Sequence, residues 1–149
     1  MSNEQLEEAI RKAIRTNPNN VYARYCLGRM LFESRHFNEA RKECEEIVRL
    51  DSDFAEDYSD LKILLADLKR YKEEEEKLRE AIRLNPNNAE LHCDLGGLLA
   101  DSKRYEEARK EYLEAIKINP NDAGAYIELG FSLQRLKCCE EVKKKEGLK

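Results

Sequence analysis

The sequence is short of residues that interrupt helices. It has three Pro and six Gly among 149 residues, while Glu, Lys, Arg, Leu and Ala dominate, a composition typical of helical proteins. It contains no apolar run approaching about 18 residues, so we expect no membrane span. Residues 1–5 lack the basic and apolar regions of a secretory signal, and we therefore expect a cytoplasmic protein.

Signatures of catalysis and of cofactor binding are also missing. There is no phosphate-binding loop, nucleophile elbow or dinucleotide fingerprint, so we expect neither an enzyme nor a cofactor. A net charge of −4 argues against nucleic acid as a partner. The five cysteines are irregularly spaced, which is a poor disulfide framework and fits a reducing compartment. The pairs His92-Cys93 and Cys138-Cys139 lack the Cys-x-x-Cys spacing of zinc sites, so no metal site is expected.

The sequence does contain a four-residue motif, here called the Asn-Pro phrase, that recurs at a fixed interval. Residues 17–20 and 85–88 both read Asn-Pro-Asn-Asn, and residues 119–122 read Asn-Pro-Asn-Asp, at intervals of 68 and 34 residues. The position one period after the first phrase, residues 51–54, reads Asp-Ser-Asp-Phe. A period of 34 residues is typical of stacked supersecondary units rather than of one globular core.

Each period contains two apolar patterns at helical spacing. In the third period, one stripe precedes a polar break at residues 101–104 and the other follows it: Leu91, Leu95, Leu98 and Leu99, then Tyr105, Ala108, Tyr112, Ala115 and Ile116. The Asn-Pro phrase ends the second helix, because the residue before Pro avoids helical angles, and its Asn residues cap the next helix.

These positions resemble the tetratricopeptide repeat family, whose pattern combines Leu-Gly, aromatic residues, two small Ala positions and Pro. The third copy supplies Leu95-Gly96, Leu99, Tyr105, Ala108, Tyr112, Ala115 and Pro120. The first copy supplies Leu27-Gly28, Leu31, Phe37, Ala40 and Ile47, and the fourth supplies Tyr126, Leu129-Gly130 and Leu133. Ahead of the first copy, Leu6, Ile10 and Ala13 match the second helix of a missing repeat.

The resemblance implies an all-α fold, a right-handed superhelical solenoid of stacked antiparallel helix pairs with about nine helices. The predicted units are a half repeat at 1–20, full repeats at 21–54, 55–88 and 89–122, and a partial fourth repeat at 123–149. The predicted helices are 3–15, 21–33, 37–50, 55–67, 71–84, 89–101, 105–118, 123–135 and 138–146.

The second copy departs from the pattern at two positions. Lys62 replaces the Gly and Glu74 replaces the small Ala, which in this family face each other where the paired helices approach most closely. Two interpretations stay open. Lys62 and Glu74 approach each other and form an ion pair, or Glu74 belongs to a solvated charged run at residues 72–77.

The resemblance also places first-helix residues on a concave face. Two acidic ladders recur there every 34 residues: Asp60, Asp94 and Glu128, with Cys26 at the first rung, and Glu33, Asp67 and Asp101, with Arg135 at the last. Between them lie Tyr22, Tyr25, Arg29, Phe32, Ile63, Cys93, Ile127 and Phe131. Either these charges solvate an exposed face, or they form a groove for a Lys/Arg-bearing segment. Carboxylates near the C-terminal ends of helices oppose the helix dipole, which favours the groove.

One subgroup of the family holds the C-terminal carboxylate of heat-shock chaperones with Lys, Asn and Arg side chains. The matching positions here are Tyr25, Arg29, Asp60, Glu90 and Asp94, of which only Arg29 is cationic. Acidic rungs repel such a ligand, so we do not expect this kind of co-chaperone.

The first functional hypothesis is a protein–protein interaction module that presents an acidic groove to a basic, Lys/Arg-rich peptide or helix of a partner. The second is a structural protein that self-associates through its uncapped terminal helices. The first helix lacks its partner helix, so we expect its apolar face, which includes Leu6 and Ile10, to pack on the first full repeat only in part; Val142 and Leu148 lie in a polar tail. Either the chain belongs to a longer array or its ends pair with other copies, and we expect a monomer or a weak homodimer.

Overall fold

The structure, a computed structural model, describes residues 1–145 apart from the side chains of Cys139, Val142, Lys143 and Lys145. Within that range it has eight α-helices and no strand, so the all-α prediction is confirmed. The side chains of Cys139 and Val142, and residue Leu148, lie outside the described part of the chain. The helices are α1 Asn3–Thr16, α2 Val21–Glu33, α3 Phe37–Leu50, α4 Ser52–Asp57, α5 Ser59–Leu84, α6 Ala89–Asp101, α7 Tyr105–Ile118 and α8 Ala123–Lys145.

The chain forms two compact units, Met1–Glu73 and Glu74–Lys149, and the division falls inside α5. The core of the N-terminal unit is built by α2, α3 and the first half of α5, with Leu27, Ile47, Leu61 and Leu68 almost completely buried. The core of the C-terminal unit is built by α6 and α7 around Leu95, Leu99, Ala108 and Tyr112, with Leu78, Ile82 and Leu129 packed against it. Each unit therefore has its own apolar core.

The Asn-Pro phrases end one helix and cap the next, as predicted. Asn17 follows α1, and the side chain of Asn20 accepts a hydrogen bond from the backbone N–H of Ala23 at the start of α2. Asn88 caps α6 in the same way, and Asp122 caps α8. A side-chain oxygen at this position satisfies an N–H group that has no partner within the helix.

Two of the helix pairs are joined by the same tight turn. After α2, the N–H of His36 bonds to the carbonyl of Leu31 at 2.8 Å, and the N–H of Arg35 bonds to that of Phe32 at 3.0 Å. Arg35 has a φ of 67°, and the hydroxyl of Ser34 donates to the carbonyl of Leu31. This pattern of bonds around a left-handed residue is the Schellman motif, which ends a helix and reverses the chain.

The turn after α6 repeats this geometry one full unit later. The N–H of Arg104 bonds to the carbonyl of Leu99 at 2.9 Å, Lys103 has a φ of 62°, and the hydroxyl of Ser102 donates to the carbonyl of Leu98. The connections are short, so α2 packs antiparallel to α3 and α6 packs antiparallel to α7. The predicted boundaries of these four helices are confirmed.

The predicted break between helices 55–67 and 71–84 is wrong, because α5 continues through it as one helix of 26 residues. The position of Ser34 and Ser102 is held here by Leu68, whose side chain is buried in the core. In a turn at this point the next residue, Lys69, would have to be left-handed, which costs about 1–2 kcal/mol. Unlike Ser34 and Ser102, Leu68 has no hydroxyl to bond a terminal carbonyl. The predicted break between 123–135 and 138–146 is wrong in the same way, since α8 continues through Leu136 at the equivalent position.

The predicted helix start at residue 55 is also wrong. Asp51 accepts a hydrogen bond from the N–H of Phe54 and opens the six-residue helix α4. Tyr58 then adopts an extended conformation, with φ −92° and ψ 101°, and α5 begins at Ser59. The interpretation that Lys62 faces Glu74 across a pair of helices loses its premise, because both residues lie on the single helix α5.

Candidate functional site

The N-terminal unit has a groove between α2 and the first half of α5. Its volume is about 420 Å³. We call it the N-terminal groove, and its lining consists of Tyr25, Arg29, Phe32, Glu33, Asp60, Ile63, Leu64 and Asp67. All of these residues except Leu64 were predicted from the sequence to lie on one binding face. Helical spacing along α2 and α5 brings them to the same side of the unit.

The charges in the N-terminal groove are partly neutralised within the protein. Arg29 lies 3.4 Å from Glu33 on the same helix, and Asp67 accepts a hydrogen bond of 3.1 Å from Arg70. The helix-dipole argument for Glu33 and Asp67 is therefore weakened, because each has a cation of its own one turn away. Asp60 adds a further carboxylate to this groove.

The aromatic residues of the N-terminal groove mainly pack on other aromatic rings. Tyr25 is 6% exposed and meets Tyr58 edge-on, with 5.0 Å between ring centroids. Burial raises the pKa of Tyr25, an effect that Arg29 partly offsets. The ring centroids of Phe32 and Phe37 lie 5.3 Å apart. These contacts assign the two rings chiefly to the core of the unit, so they offer a partner little apolar surface.

The C-terminal unit has a larger groove of about 740 Å³, formed mainly by α6 and α8. We call it the acidic groove. Its lining comprises Glu74, Leu78, Cys93, Asp94, Gly97, Leu98, Ala100, Asp101, Tyr112, Asp122, Gly124, Ala125, Ile127 and Glu128. Four of the predicted binding residues meet here: Asp94, Asp101, Ile127 and Glu128. The lining, which comes entirely from the described residues, includes five carboxylates and no Lys or Arg.

The electrostatic effect of these carboxylates is evident at Cys93. Its thiol lies 3.8 Å from the carboxylate of Asp122. Burial, and next the negative charge of Asp122, raise the pKa of Cys93 to about 11, and Asp94 and Glu128 act in the same direction. Burial disfavours a charge of either sign at the thiol, and the neighbouring carboxylates add a further penalty that applies to an anion only.

Three predicted residues line neither groove. Tyr22 is exposed and lies edge-on to Phe54, with ring centroids 5.0 Å apart. Phe131 and Arg135 are exposed on α8. Phe131 is one turn beyond Ile127, and both side chains are 58% exposed, so they form a small apolar strip next to the acidic groove.

Sequence reasoning missed two of the five carboxylates in the acidic groove. Asp122 is the N-cap of α8, where its Oδ1 accepts from the N–H of Ala125 at 3.1 Å. The signal for it was present, because the third Asn-Pro phrase ends in Asp where the two others end in Asn. Glu74 departs visibly from the repeat pattern. The sequence did not assign it to a groove, because the expected hairpin placed it opposite Lys62.

Other kinds of site have little support in the structure. Among the described residues, no group of three or more His, Cys, Asp and Glu side chains is arranged to hold a metal ion. His92 instead bonds to Glu111 and to a backbone carbonyl. Within residues 1–145, the structure contains no helix with both the length and the apolar character that crossing a membrane requires.

Two family models match parts of the chain, and several solved structures are similar to it. A tetratricopeptide repeat family model matches residues 3–42 and 77–110, and a second model, described as TPR repeat, matches residues 96–137. No curated protein sequence is significantly similar to the chain. Similar solved structures include "Crystal structure of MamA protein", which is 25% identical, with coverage of 93% of this chain and 75% of that chain and a TM-score of 0.45.

Two further solved structures are similar to the chain. The MamA 41-end structure from Desulfovibrio magneticus RS-1 is 16% identical, with coverage of 95% of this chain and 86% of that chain and a TM-score of 0.41. YrrB, titled "a TPR protein with an unusual peptide-binding site", is 22% identical, with coverage of 90% and 69% and a TM-score of 0.44.

The helical hairpins, their fixed period and their first-helix grooves define an α-helical repeat protein. The chain belongs to the tetratricopeptide repeat family. Members of this family are typically interaction modules that bind other proteins rather than catalysts.

Proposed function

We propose that the acidic groove of the C-terminal unit binds a Lys/Arg-bearing peptide or helix of a partner protein. The observation that supports this most is the composition of its lining, which has five carboxylates and no cationic side chain among the described residues. A partner without basic residues would leave those carboxylates facing one another, whereas a basic segment would neutralise them.

The groove also has apolar surface for the uncharged side chains of such a segment. Leu78, Leu98 and Ile127 lie among the carboxylates, and Ile127 is 58% exposed. An amphipathic helix would place its apolar residues against this surface and its basic residues towards Asp94 and Glu128. Apolar contact would provide most of the affinity, and the charges would favour basic partners over acidic ones.

The N-terminal groove contributes less in this proposal. Its carboxylates Glu33 and Asp67 already have cationic neighbours, and Arg29 would repel a basic segment. We therefore infer that recognition of charge is concentrated in the C-terminal unit. This inference narrows the sequence-based expectation, in which the acidic face extended along all the first helices.

The test is a titration of a labelled synthetic peptide, followed by fluorescence anisotropy. The probe is a helical peptide with Leu and Lys on opposite faces, and the comparison peptide has Glu in place of Lys. We expect the Lys peptide to bind, its affinity to fall as salt concentration rises, and the Glu peptide not to bind. Reversal of two charges, Asp94→Lys with Glu128→Lys, should weaken binding by about tenfold or more, or about 1.4 kcal/mol.

The matched control reverses two charges on the same helix outside the groove. Glu140 and Glu141 are exposed on α8 and do not line the groove. Glu140→Lys with Glu141→Lys changes the net charge of the protein equally, so it should weaken binding much less than the groove variant. Equal losses in the two variants would attribute binding to net charge and would contradict a groove-specific site.

A second candidate function is self-association through the terminal helices. It is favoured by the apolar side chains of α8 that are exposed, among them Tyr126 at 50% and Leu133 at 47%, and by Leu6 of α1 at 42%. If these surfaces pair between copies, the mass measured by light scattering will rise with concentration. Leu6→Gln and Leu133→Gln would then abolish that rise, whereas Asp94→Lys with Glu128→Lys would not.

A further inference from the structure

The first half of α5 borders an open groove in the N-terminal unit. This α3–α5 groove has a volume of about 260 Å³ and is lined by Arg41, Glu45, Leu65, Leu68, Lys69 and Lys72. Leu65 is only half-buried. Its equivalents one period before and after, Leu31 and Leu99, are 4% and 1% exposed. The core of the second repeat is therefore incomplete on this side.

The second half of α5 has the complementary defect in the C-terminal unit. Leu78 is half-buried, while the residues at its position in the neighbouring repeats, Cys44 and Tyr112, are almost completely buried. Glu74 is exposed where Ala40 and Ala108 are fully buried. The second half of α5 thus also presents core positions that its own unit does not cover.

In the hairpins that do form, these two sets of positions cover each other. The first helix α6 contributes Leu95, Gly96 and Leu99, and the second helix α7 covers them with Ala108 and Tyr112. In the second repeat the equivalent positions lie on the two halves of α5. One continuous helix cannot fold back on itself, so neither half can supply what the other lacks within the same chain.

We propose that a second copy of this chain fills both defects, in a reciprocally exchanged dimer. The α5 helices of the two copies pack antiparallel about a twofold axis near Lys69. The second half of each α5 lies in the α3–α5 groove of the other copy, where a folded-back helix would lie in an ordinary repeat. Such an interface is self-complementary and closes at two copies, because each copy offers the same two surfaces.

The reciprocal fit of the two halves of α5, rather than charge alone, selects a second copy as the occupant. Arg41, Lys69 and Lys72 line the α3–α5 groove together with Glu45. Arg41 and Lys69 already lie 3.7 Å from Glu45 and 3.9 Å from Glu73 on their own helices. In the antiparallel register, Lys62 of one copy lies beside Glu74 and Leu78 of the other, as Gly28 lies beside Ala40 and Cys44 in the first repeat. The two departures from the repeat pattern then compensate each other between chains rather than within one.

The exchange has a consequence for the acidic groove. Glu74 and Leu78 also line that groove, so the second copy covers its end nearest to α5. Asp94, Ile127 and Glu128 are not among the core positions that the exchange fills, and they stay available to a partner. The dimer and the peptide site are independent proposals with separate variants.

The first test removes the continuous helix. Lys69 and Lys72 are exposed in α5. Lys69→Gly suits the left-handed position of the Schellman turn, and Lys72→Pro is tolerated in the first turn of a new helix but not inside α5. Light scattering coupled to gel filtration should show wild type as a dimer and Lys69→Gly/Lys72→Pro as a folded monomer. The dissociation constant of the dimer should be more than about a hundredfold higher for the variant. Lys110→Gly, an exposed site in α7, controls for lost helix propensity and should stay dimeric.

The second test uses charge reversal between copies, with one copy carrying an affinity tag. Lys62→Glu alone and Glu74→Lys alone place like charges together and should each weaken the dimer by about tenfold or more. When the two variants are refolded together, each contact pairs Glu with Lys, so a mixed dimer should be recovered on the tag. A wild type that stays monomeric at every concentration would overturn the proposal. So would a dimer that survives Lys69→Gly/Lys72→Pro, or a mixture no tighter than its separate components.

Discussion

His92 of α6 and Glu111 of α7 form a hydrogen-bonded pair with 2.7 Å between Nδ1 and Oε2. The other ring nitrogen, Nε2, lies 2.9 Å from the carbonyl oxygen of Pro86. Both acceptors can only accept, so both bonds are made only when the ring carries two protons and is a cation. The pair ties α6 to α7 and to the Asn-Pro phrase that precedes α6.

We predict that this pair makes stability depend on pH. Burial by itself lowers the pKa of His92, but the hydrogen bonds to Glu111 and Pro86 outweigh it and raise the pKa above its usual value. The stabilisation is therefore fully present below pH 6.5, the value for an unperturbed histidine, and is lost as pH rises through the raised pKa of the folded state. His92→Ala should cost about 2 kcal/mol at pH 6.

The measurement is urea unfolding across a pH series, with His36→Ala as the control. His36 is exposed and bonds only locally to Ser34, so its removal should cost little. NMR titration of Glu111→Gln should show a lower pKa for His92. An unchanged pKa in that variant would rule out Glu111 as the stabilising partner.

The close approach of Gly96 to Tyr112 predicts a sharp difference between two glycines. A methyl group at Gly96 would lie 2.6 Å from a carbon of the Tyr112 ring, whereas one at Gly130 would meet nothing within 4 Å. Gly96→Ala should lower the free energy of unfolding by about 1–3 kcal/mol through overpacking. Gly130→Ala should raise it by about 0.5–1 kcal/mol through helix propensity. Thermal unfolding measures both, and a stabilising Gly96→Ala would contradict the close contact.

The hydroxyl of Tyr112 gives a third prediction. Among the described residues it is a buried side-chain oxygen without a hydrogen-bond partner, and burial raises its pKa from 10.0 to about 12. Tyr112→Phe removes the unsatisfied group and should raise stability by about 1 kcal/mol at neutral pH. Above pH 10 the phenol of Tyr112 ionises in the unfolded state before it does in the folded state. Wild type should therefore lose stability between pH 10 and about pH 12. The Phe variant has no phenol at this position, so it should not show this loss. A Phe variant less stable than wild type at neutral pH would indicate that the hydroxyl is satisfied.

The cysteines should differ in reactivity. Cys44 is fully buried, as expected for a small hydrophobe at a core position, and burial raises its pKa to about 12. Cys26 is exposed. Because the thiolate is the reactive form, alkylation followed by mass spectrometry should modify Cys26, and the likewise exposed Cys138, before Cys44, which should react only after unfolding. Rapid modification of Cys44 under native conditions would mean that α3 opens locally.

The helices that the sequence predicted best are those with a complete local signal. For α2, α3, α6 and α7, an Asn cap begins the first helix, Ser and a left-handed residue end it, and an apolar stripe identifies the buried face. Local chemistry and packing agree at these positions, so prediction from pattern succeeded.

The prediction for α5 is wrong because the repeat pattern and the local residues disagree there. Leu68 stands where Ser34 and Ser102 end their helices, and Lys69 and Arg70 favour helix as readily as turn. Both departures at Lys62 and Glu74 were visible, but they were interpreted within a hairpin. Their combination with Leu68 is the signal that would have identified one long helix.

For the candidate site, the sequence identified which residues share a face but not which of their charges are neutralised. Glu33 and Asp67 belong to the same ladder as Asp101, yet Arg29 and Arg70 pair with the first two. Whether a side-chain rotamer brings such a cation close depends on packing around the whole helix. The binding roles of these residues stay predictions.

The sequence by itself determined the helical class, the 34-residue period, the helix caps and the family, because each depends on residues close together in the chain. The tertiary structure decided that α5 and α8 are continuous, that the core divides into two units, and that five carboxylates meet in one groove. These features depend on which distant side chains compete to bury the same surface. At position 68 a buried Leu replaces the Ser whose hydroxyl bonds a terminal carbonyl in the other two turns, and the helix continues there instead of turning.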